Sequence, residues 1–355
     1  MTGGARDGGP PGGEAERFSE ALGRGVRTLR GLGPLDVGAS PRSVMLERGR
    51  ATLYRYQPRV EAPRATPVLV VYALVNRPYM ADLQEDRSLV RGLLERAQDV
   101  WLLDWGYPRS EDARLGLDDL VCGTLDACVD AVRQISGADR IHLLGICQGG
   151  TFSLCYAALQ PEKLRTLTVM VTPVDFHTPD NQLRQWVRHL DVDLLVDVMG
   201  NVPGALLNQA FVGLRPLRLG GQKYLDMVHH LATPEGAANF LRMERWIQDS
   251  PDQPGEAFRQ FVKWFYQENR LVRGRLELGG RMVDLASIRL PVLNLYATED
   301  HIVPPSASLP LADHVSCADY TVHAFRGGHI GIYVSRRAQR EVPALISSWL
   351  DERAS

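Results

Sequence analysis

The chain has 355 residues, 45% of them apolar and 23% charged. That is the composition of an ordinary globular protein, and it excludes a coiled coil or a chain disordered throughout. Forty Lys and Arg against 42 Asp and Glu give a formal charge of −2, without the basic excess by which a general nucleic-acid binder displaces counterions.

No apolar run reaches the roughly 18 residues of a membrane-spanning helix. The N-terminus, MTGGARDGGPPGGEAE, lacks the apolar core of a secretory signal. Five cysteines, at 122, 128, 147, 155 and 317, include no CxxC pair, so free thiols in a reducing cytoplasm are expected rather than a disulfide or zinc framework. No metal and no cofactor is expected.

In chain order, residues 1–15 are rich in Gly and Pro and read as a disordered tail. Phe18–Leu32 reads as a short helix, and Val44–Tyr56 as two strands with a turn near Gly49. From Pro67 the pattern alternates. Pro67–Ala73 is a continuous apolar strand, Ala81–Ala97 an amphipathic helix and Asp99–Trp105 a strand. Leu117–Ile135 is a helix, Arg140–Ile146 a strand, Gly149–Leu159 a helix and Leu164–Val174 a strand. Such a series builds a parallel sheet covered by helices on both faces. Residues 177–288 break the rhythm and read as an aromatic-rich helical insertion. In it, Phe258, Phe261, Val262 and Phe265 share one helix face. Strands return at Leu290–Ala297 and Asp319–Phe325, and a helix over Arg336–Leu350 closes the chain. The organisation expected is one α/β domain, residues 16–176 and 289–355, interrupted by a helical cap at 177–288.

Chemistry is concentrated at Gly145-Ile146-Cys147-Gln148-Gly149, between a strand and a helix. This G-x-C-x-G is a nucleophile elbow with Cys in place of Ser. Its glycines relieve a strained turn, and the helix N-terminus favours a thiolate. The Gln148 amide points at a developing oxyanion. An acid and then a histidine must follow, each in a loop past a later strand. Asp300 follows Leu290–Ala297 and His329 follows Asp319–Phe325, which gives the triad Cys147, Asp300 and His329 in the required order. Glu299 is an alternative acid and His301 an alternative base. The second oxyanion donor is expected after Pro67–Ala73, at the Val75 amide, with Asn76 next. Cysteine suits a thioester substrate, because transfer from one thiol to another is nearly isoenergetic while onward transfer to a hydroxyl runs downhill.

Beyond these residues, the segments VLVVYALVNRPYMADLQEDRSLVRGLL, DVWLLDWGYP, HLLGICQGGTFSLCYAAL, NFLRMERWIQDSPDQPGEAFRQFVKWFYQENRL, LYATEDHIVPP and GGHIGIYVS resemble the catalytic subunit of class III polyhydroxyalkanoate synthases from about residue 40 to the C-terminus. The resemblance implies an α/β-hydrolase fold with a helical cap. It implies polymerisation of (R)-3-hydroxyacyl-CoA, chiefly 3-hydroxybutyryl-CoA, with release of CoA through an acyl-Cys147 intermediate and with His329 as general base. It also implies a PhaE-type second subunit, a homodimer and residence on polymer granules in the cytoplasm. Two rival readings are a Cys-nucleophile hydrolase, resembling thioesterases or dienelactone hydrolases, and a non-catalytic granule-surface protein that keeps the fold.

Overall fold

A computed structural model of the chain describes residues 12–214, 227 and 229–354. Twelve strands occur among these residues. They are β1 (Arg42–Arg48), β2 (Ala51–Tyr56), β3 (Val68–Val71), β4 (Asp82–Gln84), β5 (Arg87–Ser88), β6 (Val100–Asp104), β7 (Ile141–Ile146), β8 (Leu164–Met170), β9 (Glu277–Leu278), β10 (Arg281–Met282), β11 (Val292–Ala297) and β12 (Tyr320–Phe325). Eight of them form one sheet in the order β1-β2-β6-β3-β7-β8-β11-β12. From β6 to β12 all neighbours run parallel, while β2 is antiparallel to β6 and to β1.

The inner strands are covered on both faces, which is why they read as unbroken apolar runs. Every residue of β3, β6 and β7 is buried. Because they are parallel, the loops that leave β3, β7, β8, β11 and β12 emerge at one edge, where open α/β sheets hold their ligands. All the expected reactive residues lie in those loops.

Four helices of the sheet domain are α2 (Leu89–Leu94), α3 (Asp126–Ser136), α4 (Gln148–Leu159) and the C-terminal helix Arg336–Asp351. α4 is buried from Gly149 to Leu159, as a helix packed under further structure must be. The expected helix over Ala81–Ala97 is largely replaced. Asp82–Ser88 folds as the β4–β5 hairpin, and α2 occupies only the second half. The reason is Asp82, wholly buried, whose carboxylate needs partners off its own helix. It accepts from Ser40 N at 2.8 Å, Ser40 Oγ at 2.9 Å and Ser88 Oγ at 2.5 Å. Ser88 Oγ in turn accepts from Arg91 N at 2.8 Å and caps α2. The helix expected over Leu117–Ile135 opens as a π-helical stretch, Asp118–Leu125, before α3.

Between β8 and β11 lie α5 (Gln182–Val187), α6 (Val192–Met199), α7 (Gly204–Leu214), α8 (Pro234–Gln248), α9 (Gly255–Gln260) and a π-helical turn, Phe261–Gln267. The chain divides into two compact units. The larger contains residues 37–214 and 249–355, and the smaller residues 1–36 and 215–248. In the smaller unit, α1 (Gly12–Gly31) packs with α8. Arg242 and Arg245 donate to the backbone carbonyls of Asp36 and Leu35, each at 2.9 Å. Of the tail expected at 1–15, residues 1–11 lie outside the described residues, and 12–15 form the first turn of α1. No helix among the described residues is long and apolar enough to cross a membrane.

The last helix carries Pro343 in its interior, where the ring has no N–H to give and needs room. Gly92 of α2 supplies the room: a Cβ there would fall 2.5 Å from Pro343 Cγ. We expect Gly92→Ala to lower stability in urea by about 1–3 kcal/mol. Pro343→Ala in the same chain should recover part of that loss, while Gly331→Ala, with open space around it, should cost nothing. Independent, additive effects at 92 and 343 would show that the two do not touch.

Candidate active site

Cys147 stands between β7 and α4 with φ 55° and ψ −126°, a backbone conformation that side chains rarely adopt and that costs on the order of 1–3 kcal/mol. Neighbouring residues hold it there. Its amide donates to Met170 O at 2.9 Å, and its carbonyl accepts from Gly150 N at 2.9 Å. The flanking glycines are required by contact rather than by flexibility. A Cβ on Gly149 would lie 2.3 Å from Val71 O, one on Gly145 2.5 Å from Gly150 Cα, and one on Gly150 1.9 Å from Thr172 Oγ1. The start of α4 is thereby pressed against the ends of β3 and β8, and the sulfur projects from the sheet edge.

His329 Nδ1 lies 2.6 Å from Asp300 Oδ2, and both side chains are buried. The other oxygen of that carboxylate, Oδ1, accepts from Ile302 N at 2.8 Å and Val303 N at 2.9 Å. With Nδ1 engaged, Nε2 is the nitrogen left for the hydrogen bond between His329 and Cys147. Burial works to lower the imidazole pKa, but the charges of Asp300 and Cys147 and the hydrogen bonds to both outweigh it and raise the pKa to about 10. His329 is therefore an imidazolium at neutral pH, placed between the Asp300 carboxyl group and the Cys147 sulfur.

The structure thus brings together Cys147, Asp300 and His329. The alternatives lie elsewhere: Glu299 points outward to Arg326, 3.8 Å away, and it is His329 rather than His301 that meets the Asp300 carboxylate. The other thiols are remote from this chemistry. Burial pushes Cys128 up to about 12 and raises Cys155, Cys122 and Cys317 as well.

Gln148 opens α4, so its amide is among the N–H groups that a helix leaves without an internal partner. Its side chain has a separate task, since Oε1 accepts from Leu74 N at 3.0 Å. Gln253 Nε2 donates to Leu74 O at 3.1 Å. The loop that carries Val75 and Asn76 is braced from both sides immediately before those residues, and Asn76 itself takes φ 61°.

Three tyrosines belong to the site that the sequence reading passed over. Tyr72 OH and Tyr333 OH are 3.0 Å apart, and the phenols of Tyr72, Tyr333 and Tyr266 all feel the charge of Cys147. Burial is the first cause that raises the pKa of each, so all three stay neutral hydrogen-bond donors. Two had a legible signal. Tyr72 directly follows an apolar strand, and Tyr333 lies four residues past the histidine, in the short helix Gly331–Val334. Tyr266 had none, because it rides on the π-helical turn rather than on the α-helical face expected there.

That turn also places the insertion's aromatics. Phe261 packs edge-on against Phe152 of α4 at 5.9 Å, and Phe152 against Trp105 at 6.1 Å. Phe261 and Phe265 belong to the core of the sheet domain, whereas Phe258 and Val262 turn toward Val192 and Val196. Phe261 and Phe265 therefore serve the core of the sheet domain rather than a core of the insertion's own. Among the described residues no three His, Cys, Asp or Glu side chains gather as a metal site requires.

Comparison with known proteins bears on the fold and the family. Residues 66–335 match the family model of the alpha/beta hydrolase fold. A carboxyl esterase from Bacillus coagulans superposes with a TM-score of 0.58 at 14% identity, covering 89% of this chain and 99% of its own. At that identity the likeness concerns the fold alone. The poly(3-hydroxyalkanoate) polymerase subunit PhaC of Allochromatium vinosum is 55% identical over 338 residues, 95% of each chain. The PhaC subunit of Synechocystis is 51% identical over 346 residues, 95% of this chain and 91% of its own. The chain belongs to the α/β hydrolase fold family and, within it, to the poly(3-hydroxyalkanoate) polymerase PhaC family.

Proposed function

We propose that the chain is the catalytic subunit of a class III polyhydroxyalkanoate synthase, an acyltransferase that joins (R)-3-hydroxyacyl groups, mainly 3-hydroxybutyryl, from CoA thioesters into polyester. The observation that carries this reading is an elbow cysteine hydrogen-bonded to an imidazolium that a buried carboxylate fixes from behind.

In the first step Cys147 Sγ attacks the thioester carbonyl. The oxyanion is received by the Gln148 and Val75 amides, and the carbon–sulfur bond to CoA breaks as His329 Nε2 gives its proton to the departing sulfur. The acyl group is then on Cys147 and His329 is neutral. In the second step the hydroxyl of another hydroxyacyl unit attacks that acyl carbon and gives its proton to His329. An oxoester forms, and Cys147 leaves as thiolate beside a renewed imidazolium. Asp300 orients His329 and stabilises the charged imidazole at both ends of the cycle.

Water competes with the hydroxyl in the second step, so the site must be dry. The helical cap assigned to residues 177–288 serves that purpose in this reading, and the packing of Phe261 on Phe152 supports it for the part nearest α4. A PhaE-type partner, a homodimer and a place at the granule surface complete the proposal; the chain's likeness to proteins named as subunits supports the first of these.

With (R)-3-hydroxybutyryl-CoA, the purified chain together with its partner subunit should release free thiol while the solution grows turbid, and Cys147→Ala should do neither. Thiol release without turbidity would mean a thioesterase. Cys147→Ser should lose turnover by at least about 100-fold, because the acyl group is then held as an oxoester with no drive for onward transfer.

His329→Gln should slow alkylation of Cys147 at pH 7 by about ten-fold or more, read by mass spectrometry with iodoacetamide. Its effect on stability has a definite sign. The folded-state imidazole pKa of about 10 lies above the unfolded value near 6.5. The stability conferred by the pairing is therefore complete below about 6.5 and fades as pH climbs through about 10. The stability gap between wild type and His329→Gln should narrow over that interval, and a gap that widens with pH would contradict the imidazolium assignment.

A further inference from the structure

A surface recess of about 430 Å³ opens beyond the π-helical turn, lined by Gln267, Glu268, Arg270, Arg273 and Arg275. Glu268 is the carboxylate of that lining, and it is taken up by an ion pair with Arg270. Arg273 and Arg275 are exposed and pair with no carboxylate among the described residues. Arg184, which acts on the same His177 as Arg273 does, also pairs with no carboxylate among the described residues, and its Nε is buried without a hydrogen-bond partner.

His177 stands in the field of both Arg184 and Arg273. Its Nε2 lies 3.0 Å from the Tyr266 carbonyl, which accepts the N–H and fixes the tautomer. Nδ1 then presents a lone pair to Arg273 Nη2 at 3.5 Å. Burial first, and the two arginines after it, push the His177 pKa down, so the ring is neutral and serves as a spacer between cations. The platform is rigid. Asn269, buried and at φ 53°, accepts from Phe176 N at 3.1 Å and donates to Asp175 Oδ1 at 2.8 Å. Asp175 is the nearby carboxylate, and its Oδ1 is spent on that bond and on the His177 amide.

Like charges gathered without a counter-charge cost free energy unless an anion joins them, and planar guanidinium forks suit phosphate oxygens. One residue links the recess to the reactive edge. The residue whose carbonyl fixes His177 is Tyr266, whose phenol feels Cys147. A CoA thioester has the matching form: an acylated sulfur at one end, a long uncharged arm, and a diphosphate with a ribose phosphate at the other. We infer that the Arg270–Arg273–Arg275 recess, with Arg184 adding its charge beside His177, is the subsite that receives the phosphates of the CoA thioester while its acyl end reaches Cys147. This inference rests on the acyl-CoA reading above.

Two measurements on the full chain together with its partner subunit test it, with wild type, the Arg273→Gln/Arg275→Gln double variant, and Arg64→Gln as a charge control far along the sequence, paired with Asp351. Calorimetric titration with adenosine 3′,5′-bisphosphate should show affinity at least about ten-fold weaker in the double variant, the loss of two charge-assisted phosphate contacts, and unchanged in Arg64→Gln. The ratio of kcat/KM for 3-hydroxybutyryl-CoA to that for 3-hydroxybutyryl-pantetheine, which lacks the phosphates, should fall by a similar factor. An equal loss on both thioesters, or an unaltered bisphosphate affinity, overturns the subsite. Bisphosphate binding weakened as expected, with neither thioester consumed by wild type, retains the anion site and removes the polymerase reading.

Discussion

The reactive edge depends on one close approach, that of the first turn of α4 to the ends of β3 and β8. Gly149 lies so near the Val71 and Tyr72 carbonyls, and Gly150 so near Thr172, that neither position has space for a methyl group. This contact holds Cys147 in its strained conformation and lifts its sulfur clear of the sheet. It also sets the position of the helix N-terminus beneath that sulfur. The strain is sustained by a sheet whose inner strands are wholly buried, because a rigid, two-sided core leaves the turn no cheaper arrangement.

Electrostatics follow from the same edge. Parallel strands deliver Cys147, Asp300 and His329 from three separate loops, and burial then makes each charge dependent on the next. The Asp300 carboxylate is spent on two amides and one imidazole. His329 is fully committed to Asp300 and Cys147. Gln148 ties the start of α4 to the loop after β3, since it opens the helix while its side chain anchors Leu74. A substitution at any of these positions acts on its neighbours as well, so single replacements will not yield additive energies.

Much of this was legible in the sequence because the signals are local. The apolar runs of β3, β6 and β7, the G-x-C-x-G spacing and the order of acid and histidine each require only a few adjacent residues. What escaped is non-local or depends on helix type. Asp82 turns a helical pattern into a hairpin because its partners include Ser40, 42 positions away. The apolar face at Phe258–Phe265 was periodic, yet its π-helical continuation divides it between two clusters and carries Tyr266 toward the site. The tyrosine pair Tyr72–Tyr333 spans 261 positions, and no spacing rule reaches that far.

The smaller unit is assembled from the two segments 1–36 and 215–248, which bears on how the chain is made. Helix α1 is synthesised well before its packing partner α8, which begins at Pro234, about 200 residues later. At translation rates of about 5–20 residues per second, the first helix waits roughly 10 to 40 seconds for the surface it packs against. Most helical stability in proteins comes from tertiary packing, and the 20-residue α1 lacks that packing until α8 is made. During that interval its apolar stripe is available to chaperones or to other nascent chains, and the yield of folded protein becomes sensitive to the pace of synthesis in a way that a contiguous N-terminal unit would not be.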